Sequence, residues 1–428
     1  MKKHTLLILL VFLATTLPAN AYIDPGTGSM LFSIVLSLTS ILFFVIHSLY
    51  EKFKLYFFKN NSKIDKKYPI VIYVESKRYY HVFNDIINDF ESRQYPILVY
   101  VSEEDDPFIT KDYKYVKVEN IGRGNKAYSK LAFISADICL MTTPHLDVFQ
   151  LKRSRYVKHY SHIFHCIDQG VGYRLFGLDY YDSVLMNFKK SEQYIRELED
   201  KRNIKRKELI VVGSTHMDSM YKNLPDSEQQ STNINVLLAP SWGPSAILAN
   251  YGKELIEELS KTQYNVIVRP HPQSLISEKT LINKLQNIFK NYENIKWDFS
   301  NDNLKTMAKS DILITDFSGI IFEYLFLFNK PCIYSLASFN KEMYDMSELS
   351  CKTYWEENLP NMGTELTIDK IKNIGEIINH LTNNSSVTDK ILKFKNEMWE
   401  KQGEGSKNVV DFLIAKQLEL SKDDANSI

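Results

Sequence analysis

The 428-residue chain is poor in cysteine, glycine and proline and carries no net charge. Its four cysteines, Cys139, Cys166, Cys332 and Cys351, contain no C-x-x-C pair, which removes support for a zinc knuckle or a thioredoxin-type motif. Thiols scattered in this way read as reduced core residues. Fifteen glycines and 13 prolines are too few for a fibrous or low-complexity architecture. Lys plus Arg and Asp plus Glu each number 52, so there is no overall basic footprint for nucleic acid. What is present is ordinary globular material, 44% hydrophobic and 24% charged. That composition excludes wholesale disorder, and the length asks for two or three folding units.

The long apolar runs lie at the N-terminus. Lys2 and Lys3 precede the run from Leu6 to Leu13, followed by Ala19-Asn20-Ala21, so residues 1–21 read as a signal-peptide-like segment. Residues 22–67 hold a second apolar stretch, about 30–50, long enough at about 1.5 Å per residue to cross a bilayer core of about 30 Å. Lys52, Lys54, Lys59, Lys63, Lys66 and Lys67 follow it. This basic juxtamembrane segment predicts an inner or cell membrane location with the soluble part cytoplasmic.

From Tyr68 onward short apolar, β-rich runs alternate with helical stretches. Strands are expected at Ile70–Val74, Ile97–Val101, Tyr115–Val118, Ile138–Thr142, Ile163–Cys166, Val184–Asn187 and Leu209–Val212. A polar stretch from Asn223 to Asn233 reads as a linker. The alternation restarts at Val236–Ala239, Val266–Val268, Ile295–Trp297, Ile312–Thr315 and Cys332–Tyr334. Such alternation predicts parallel sheets covered on both faces, in two α/β units at 68–222 and 234–420 with a cleft between them.

Three clusters carry chemistry. In Ser310-Asp-Ile-Leu-Ile-Thr-Asp-Phe-Ser-Gly319 a buried strand runs into a turn and a helix start, the place where phosphates bind in open α/β sheets. Ser318 there is either a phosphate contact or a helix cap, and Gly319 allows close approach to the backbone. Glu323, the lone charge in an apolar helix, needs a partner, either a ribose hydroxyl or an internal cation. In Arg269-Pro-His271-Pro, two prolines fix a turn after a strand, so that Arg269 and His271 form either a diphosphate contact or a structural ion pair. The third cluster holds His159, His162 and His165, whose spacing converges on one ion in neither a strand nor a helix. His165, before a glycine-rich turn, is placed as a general base or as a core histidine. Weaker signals are Ala239-Pro-Ser241-Trp242-Gly243 and Gly213-Ser-Thr-His216-Met-Asp218, both after strands.

Taken together, these residues resemble the CDP-glycerol glycerophosphotransferase family, the teichoic-acid primases and polymerases. The likeness runs over roughly residues 130 to 415. Leu237-Leu-Ala-Pro-Ser-Trp242 is similar to the family's APTW segment and Arg269-Pro-His-Pro272 to its R-x-H-P. Ser310 to Ser318 is similar to SDILITDYSS, and Phe322-Glu-Tyr with Asn329-Lys-Pro331 to FDY…KRP. The resemblance implies a GT-B fold of two Rossmann-like domains, the acceptor on the N-terminal one and the nucleotide donor on the C-terminal one. It also implies His165 and His271 as catalytic residues, with Arg269, Ser318, Gly319, Glu323, Asp316, Ser241 and Trp242 at the substrate. The family's W-H-G-T-P-L-K is here Phe164-His-Cys-Ile-Asp-Gln-Gly170, and its second serine is Gly319.

The expected function is a membrane-anchored transferase that moves glycerol phosphate, or a related polyol phosphate, from a CDP-activated donor to a lipid-linked or surface glycan and releases CMP. A GT-B glycosyltransferase or epimerase using a sugar nucleotide is the alternative, and a non-catalytic membrane scaffold with a degenerate nucleotide cleft a further one. The implied partners are the activated polyol or sugar, the glycan acceptor and the membrane, without nucleic acid. No cofactor is expected, and no carboxylate cluster suggests a dedicated Mg²⁺ site, although an ion carried on the phosphates would leave no such trace.

Overall fold

The computed structural model of the protein describes residues 67–225, 233–300, 303–336 and 339–426, with a few positions between 37 and 46. Residues 64–428 form one compact unit, distinct from residues 1–63. The signal-like segment, most of the apolar stretch, the basic segment up to Lys66 and most of the linker fall outside the described residues. Described positions between 37 and 46 are helical, with Ile41, Leu42, Phe43, Val45 and Ile46 exposed. No described helix is long and apolar enough to cross a membrane.

Two parallel sheets make up the larger unit. The first contains β1 (Tyr68–Val74), β2 (Ile97–Val101), β3 (Val116–Asn120), β4 (Ala136–Met141), β5 (Val157–Ile163), β6 (Ser183–Met186) and β7 (Glu208–Val211), in the order β3-β2-β1-β4-β5-β6-β7. The second contains β8 (Asn235–Leu238), β9 (Asn265–Val268), β10 (Ile295–Trp297), β11 (Ile312–Thr315), β12 (Cys332–Tyr334) and β13 (Gly363–Glu365), in the order β10-β9-β8-β11-β12-β13. β2, β4 and β11 are buried at every position, as continuous apolar runs covered on both faces must be. The helix Tyr80–Ser92 shows the complementary pattern, burying Val82, Phe83, Ile86, Ile87 and Phe90 at helical spacing. Strand order reverses at β1/β4 and at β8/β11, and the carboxyl ends of strands at such points are where α/β sheets bind ligands.

Three features depart from the expectation. β5 ends at Ile163 instead of starting there, because the polar run Val157-Lys-His-Tyr-Ser-His-Ile163 is itself the strand. Two of its polar side chains pair inside the sheet, His159 Nε2 at 2.9 Å from Ser183 Oγ and Ser161 Oγ at 2.7 Å from the same hydroxyl. β13 adds a short edge strand with no apolar residue to announce it. Finally, the helix Gly405–Asn426, assigned up to residue 420 to the second unit, packs on the first sheet. Val409, Val410 and Leu413 join the core around Ile70, Ile72 and Ile138.

The chain therefore passes between the sheets twice, and the two passages are held together. Asp218, in the helix Thr215–Lys222, accepts hydrogen bonds from Trp399 Nε1 (2.9 Å), Gly403 N (2.7 Å) and Gly405 N (2.9 Å) of the return passage. Gly213, at φ +95°, lies where a Cβ would come within 2.8 Å of the Glu400 carbonyl.

Candidate active site

The carboxyl ends of the two sheets supply separate groups of side chains. After β5 the chain turns through Asp168, whose carboxylate accepts from the backbone of Gly170 (2.6 Å) and Gly172 (3.4 Å). Gly170 has φ +82°, and a Cβ on Gly172 would meet Asp168 Oδ2 at 2.2 Å, so the turn requires both glycines. This turn sets His165, half-buried, with its ring centroid 5.1 Å from Tyr79 and its Nδ1 3.4 Å from the Tyr173 hydroxyl. Burial, and then His216, push the His165 pKa down to about 4 against the pull of Glu323. The imidazole is neutral at pH 7 and available as a proton acceptor.

Glu323 finds the partner its solitary position required. Its Oε1 lies 3.0 Å from His216 Nε2, and its Oε2 accepts from Asn303 Nδ2 at 3.4 Å. His216 stands on the helix after β7 and Glu323 on the helix after β11, so the pair ties the two halves beside His165. His81 flanks His216, with ring centroids 6.3 Å apart.

In the second half, β11 delivers Asp316 to the loop that follows β8. Its carboxylate, buried, accepts from Ser241 N (2.8 Å) and Ile247 N (3.0 Å). Desolvation outweighs those bonds and raises the Asp316 pKa to about 6. Asp316 thus shapes the 241–247 loop from below. Trp242, 48% exposed, stacks on His271 with centroids 6.4 Å apart. His271 Nδ1 accepts from Gln273 N at 3.1 Å, which puts the proton of the neutral ring on Nε2. Burial and the charge of Arg78 lower the His271 pKa, with Glu278 opposing. Ser318 and Gly319 precede the helix Ile320–Phe328, which has no side-chain cap, so the Ser318 hydroxyl is not spent on capping. Nothing lies within 4 Å of a Cβ built on Gly319.

Arg269 is engaged elsewhere. Its guanidinium pairs with Asp298 and donates to Ser300 Oγ (3.0 Å) and Ser300 O (2.7 Å). Against desolvation, hydrogen bonds from Thr306 and Ser300, and then the Arg269 charge, hold the Asp298 pKa down at about 2. The ion pair of the second reading open in the sequence is thus present. The segment Arg78-Tyr79-Tyr80-His81 was not singled out in the sequence, although it follows the carboxyl end of β1, where the strand-order rule would have directed attention. Of the three histidines of β5 and its turn, His159 pairs with Ser183, while His162 and His165 both meet the Tyr173 hydroxyl. Among the described residues no group of three His, Cys, Asp or Glu side chains is placed to hold a metal.

A clasp closes the site from the second half. Arg202, its side chain 8% exposed, pairs with Asp179 (2.6 Å), Asp345 (2.6 Å) and Glu348 (2.8 Å). Asp345 also accepts from Phe176 N and Gly177 N, and its own N–H donates to the Tyr173 carbonyl at 2.9 Å. Residues 343–346 thereby hold the 171–177 loop that carries Tyr173.

Solved structures share this fold at low sequence identity. One of the wall teichoic acid polymerase TagF, a variant soaked with CDPG, has 16% identity and a TM-score of 0.56, covering 90% of this chain and 98% of that one. A putative UDP-N-acetylglucosamine 2-epimerase from Listeria monocytogenes has 11% identity and a TM-score of 0.55, with 81% and 95% covered. The UDP-GlcNAc 2-epimerase from Neisseria meningitidis bound to UDP-GlcNAc has 15% identity and a TM-score of 0.53, with 82% and 100% covered. No curated protein sequence matches the chain. The family model described as CDP-Glycerol:Poly(glycerophosphate) glycerophosphotransferase matches residues 177–415, starting after His165 and taking in His216, His271, Asp316 and Glu323. With more than half of its length so matched, the chain belongs to the CDP-glycerol glycerophosphotransferase family and is an enzyme of that kind.

Proposed function

We propose that the protein moves glycerol phosphate, or a related polyol phosphate, from a CDP-activated donor to a hydroxyl of a lipid-linked or surface glycan, releasing CMP. The observation that carries this reading is a neutral, half-buried imidazole, His165, beside the interdomain His216–Glu323 pair. The acceptor hydroxyl loses its proton to His165 as its oxygen bonds to the β-phosphorus. The bond from that phosphorus to the bridging oxygen breaks, and its electron pair leaves with CMP. His271 Nε2–H, the Ser318 hydroxyl and the backbone at Gly319 are the donors offered to the phosphates, and Trp242 offers a stacking face to the nucleotide. Arg269 contributes by fixing the turn that carries His271. The apolar and basic N-terminal segments support anchorage at the membrane with the catalytic body cytoplasmic, which confines enzyme and acceptor to one surface.

CMP release from CDP-glycerol by wild type, His165→Ala and His271→Ala tests the reading. Each variant is expected to lose at least about a hundredfold in kcat/KM, the usual scale for a proton-transfer group; full activity in both overturns the assignment. The comparable fold similarity to the 2-epimerases favours one other reading, a sugar-nucleotide enzyme. A thermal-shift panel of CDP-glycerol, CDP-ribitol, CMP-sugars and UDP-sugars separates the two, because the cognate nucleotide raises the apparent melting temperature. Stabilisation by UDP-sugars alone would replace the first reading with the second.

A further inference from the structure

One hydroxyl connects the candidate base to a second imidazole that has no place in the transfer itself. The Tyr173 hydroxyl lies 3.0 Å from His162 Nε2 and 3.4 Å from His165 Nδ1. His162 is fully buried in β5, and its Nδ1 has no hydrogen-bond partner. Around it Phe164, Tyr173 and Tyr181 stand edge to face, with interplanar angles of 76°, 88° and 66°.

A phenolic hydroxyl has one proton to give and lone pairs to receive with. Placed between two imidazole nitrogens, it donates to one and accepts from the other, so the two neutral rings must be protonated at complementary positions. Burial keeps the Tyr173 hydroxyl protonated and His162 neutral. The aromatic shell decides the direction. A ring face is electron-rich and accommodates an N–H better than a nitrogen lone pair, so an aromatic shell around the unpartnered Nδ1 favours the His162 proton there. His162 Nε2 then accepts from the Tyr173 hydroxyl, and the Tyr173 oxygen accepts from His165 Nδ1–H.

We propose that Tyr173, backed by the buried His162, is a positioning residue that locks His165 in the Nδ1–H tautomer, with Nε2 as the bare nitrogen turned to the acceptor. The inference rests on His165 being the proton acceptor of the proposed transfer, and it adds what determines which nitrogen does the work. It also explains why the 171–177 loop is clasped. Tyr173 can hold the tautomer only while its loop stays against β5, and Asp345, through its bond to the Tyr173 carbonyl, keeps it there.

The test reads the tautomer directly. The full chain, labelled with ¹⁵N-histidine, is compared with its Tyr173→Phe variant, and the His165 signals are identified by their loss in His165→Gln. In wild type at pH 7, His165 is expected to show the shift pattern of an Nδ1–H ring; in Tyr173→Phe it moves toward the Nε2–H form. Phenylalanine preserves the ring packing, so the melting temperature stays within about two degrees, while kcat falls about tenfold and KM stays within about twofold. An Nε2–H ring in wild type, or an unchanged tautomer and kcat in Tyr173→Phe, overturns the lock. The underlying reading fails separately, through full activity of His165→Gln, and the wild-type spectrum still decides the tautomer in that case.

Discussion

At the scale of single residues, His165 is a group whose burial has a measurable cost. Its pKa of about 4 in the folded protein lies below the ordinary value near 6.5. Between those values the unfolded chain takes up a proton that the native state refuses, so stability falls as pH drops through the window and levels off below about 4. His162 acts in the same direction. Asp316, raised to about 6, acts in the opposite one, its contribution being lost as pH rises toward 6. The informative measurement is therefore a difference: the melting temperature should fall more steeply between pH 7 and 4.5 in wild type than in His165→Gln. Parallel slopes would mean that His165 is not held neutral. Sequence made Glu323 visible as a lone carboxylate in an apolar helix, since burying an unpaired charge is costly anywhere. Its partner was hidden, because His216 is distant in the chain and nothing local marks which polar side chain folding brings opposite. Arg269 stood out for the same reason and found its charge balanced by Asp298, a choice between partners that sequence leaves open.

At the scale of elements, the 241–247 loop depends on one carboxylate. Replacing Asp316 by alanine leaves the N–H groups of Ser241 and Ile247 without their acceptor. At about 1–3 kcal/mol for the buried Ile247 N–H, and less for the partly exposed Ser241 N–H, a loss of roughly 2 kcal/mol in urea unfolding is expected. Because the same loop presents Trp242, the affinity for the CDP-activated donor should weaken as well, which calorimetry would register; unchanged affinity would separate the loop from the donor site. Most strands were legible because their apolar runs match fully buried sheet positions. β5 was misplaced for an equally physical reason. His159 and Ser161 pair with Ser183 across the sheet, and a strand that carries so many polar side chains looks like a loop when read by hydrophobicity alone. β13, three residues long, had no pattern to read.

At the scale of the whole molecule, the clasp around Arg202 joins parts of the chain that belong to different sheets. Removing the guanidinium leaves Asp345 buried and unpaired, a situation that typically costs about 3–5 kcal/mol. Arg202→Ala should lower the free energy of unfolding by that order, and Arg202→Lys should rescue it only in part, since an ammonium cannot address Asp179, Asp345 and Glu348 at once. Full rescue by lysine would show that the clasp needs charge but not the planar fork. The two-sheet plan was readable from the alternation of strands and helices. The return of the last helix was not, since an amphipathic helix records that it has an apolar face but not which sheet receives it.

That return has a consequence for how the protein is made. Val409, Val410 and Leu413 complete a core whose other buried members, from Ile70 to Val212, were translated about two hundred residues or more earlier. On the ribosome the first sheet must wait, one face only partly covered by the helix Tyr80–Ser92, until the second has been synthesised and its final helix has emerged. The two halves are thus successive in the gene but not in folding, and the half that begins first is the one finished last.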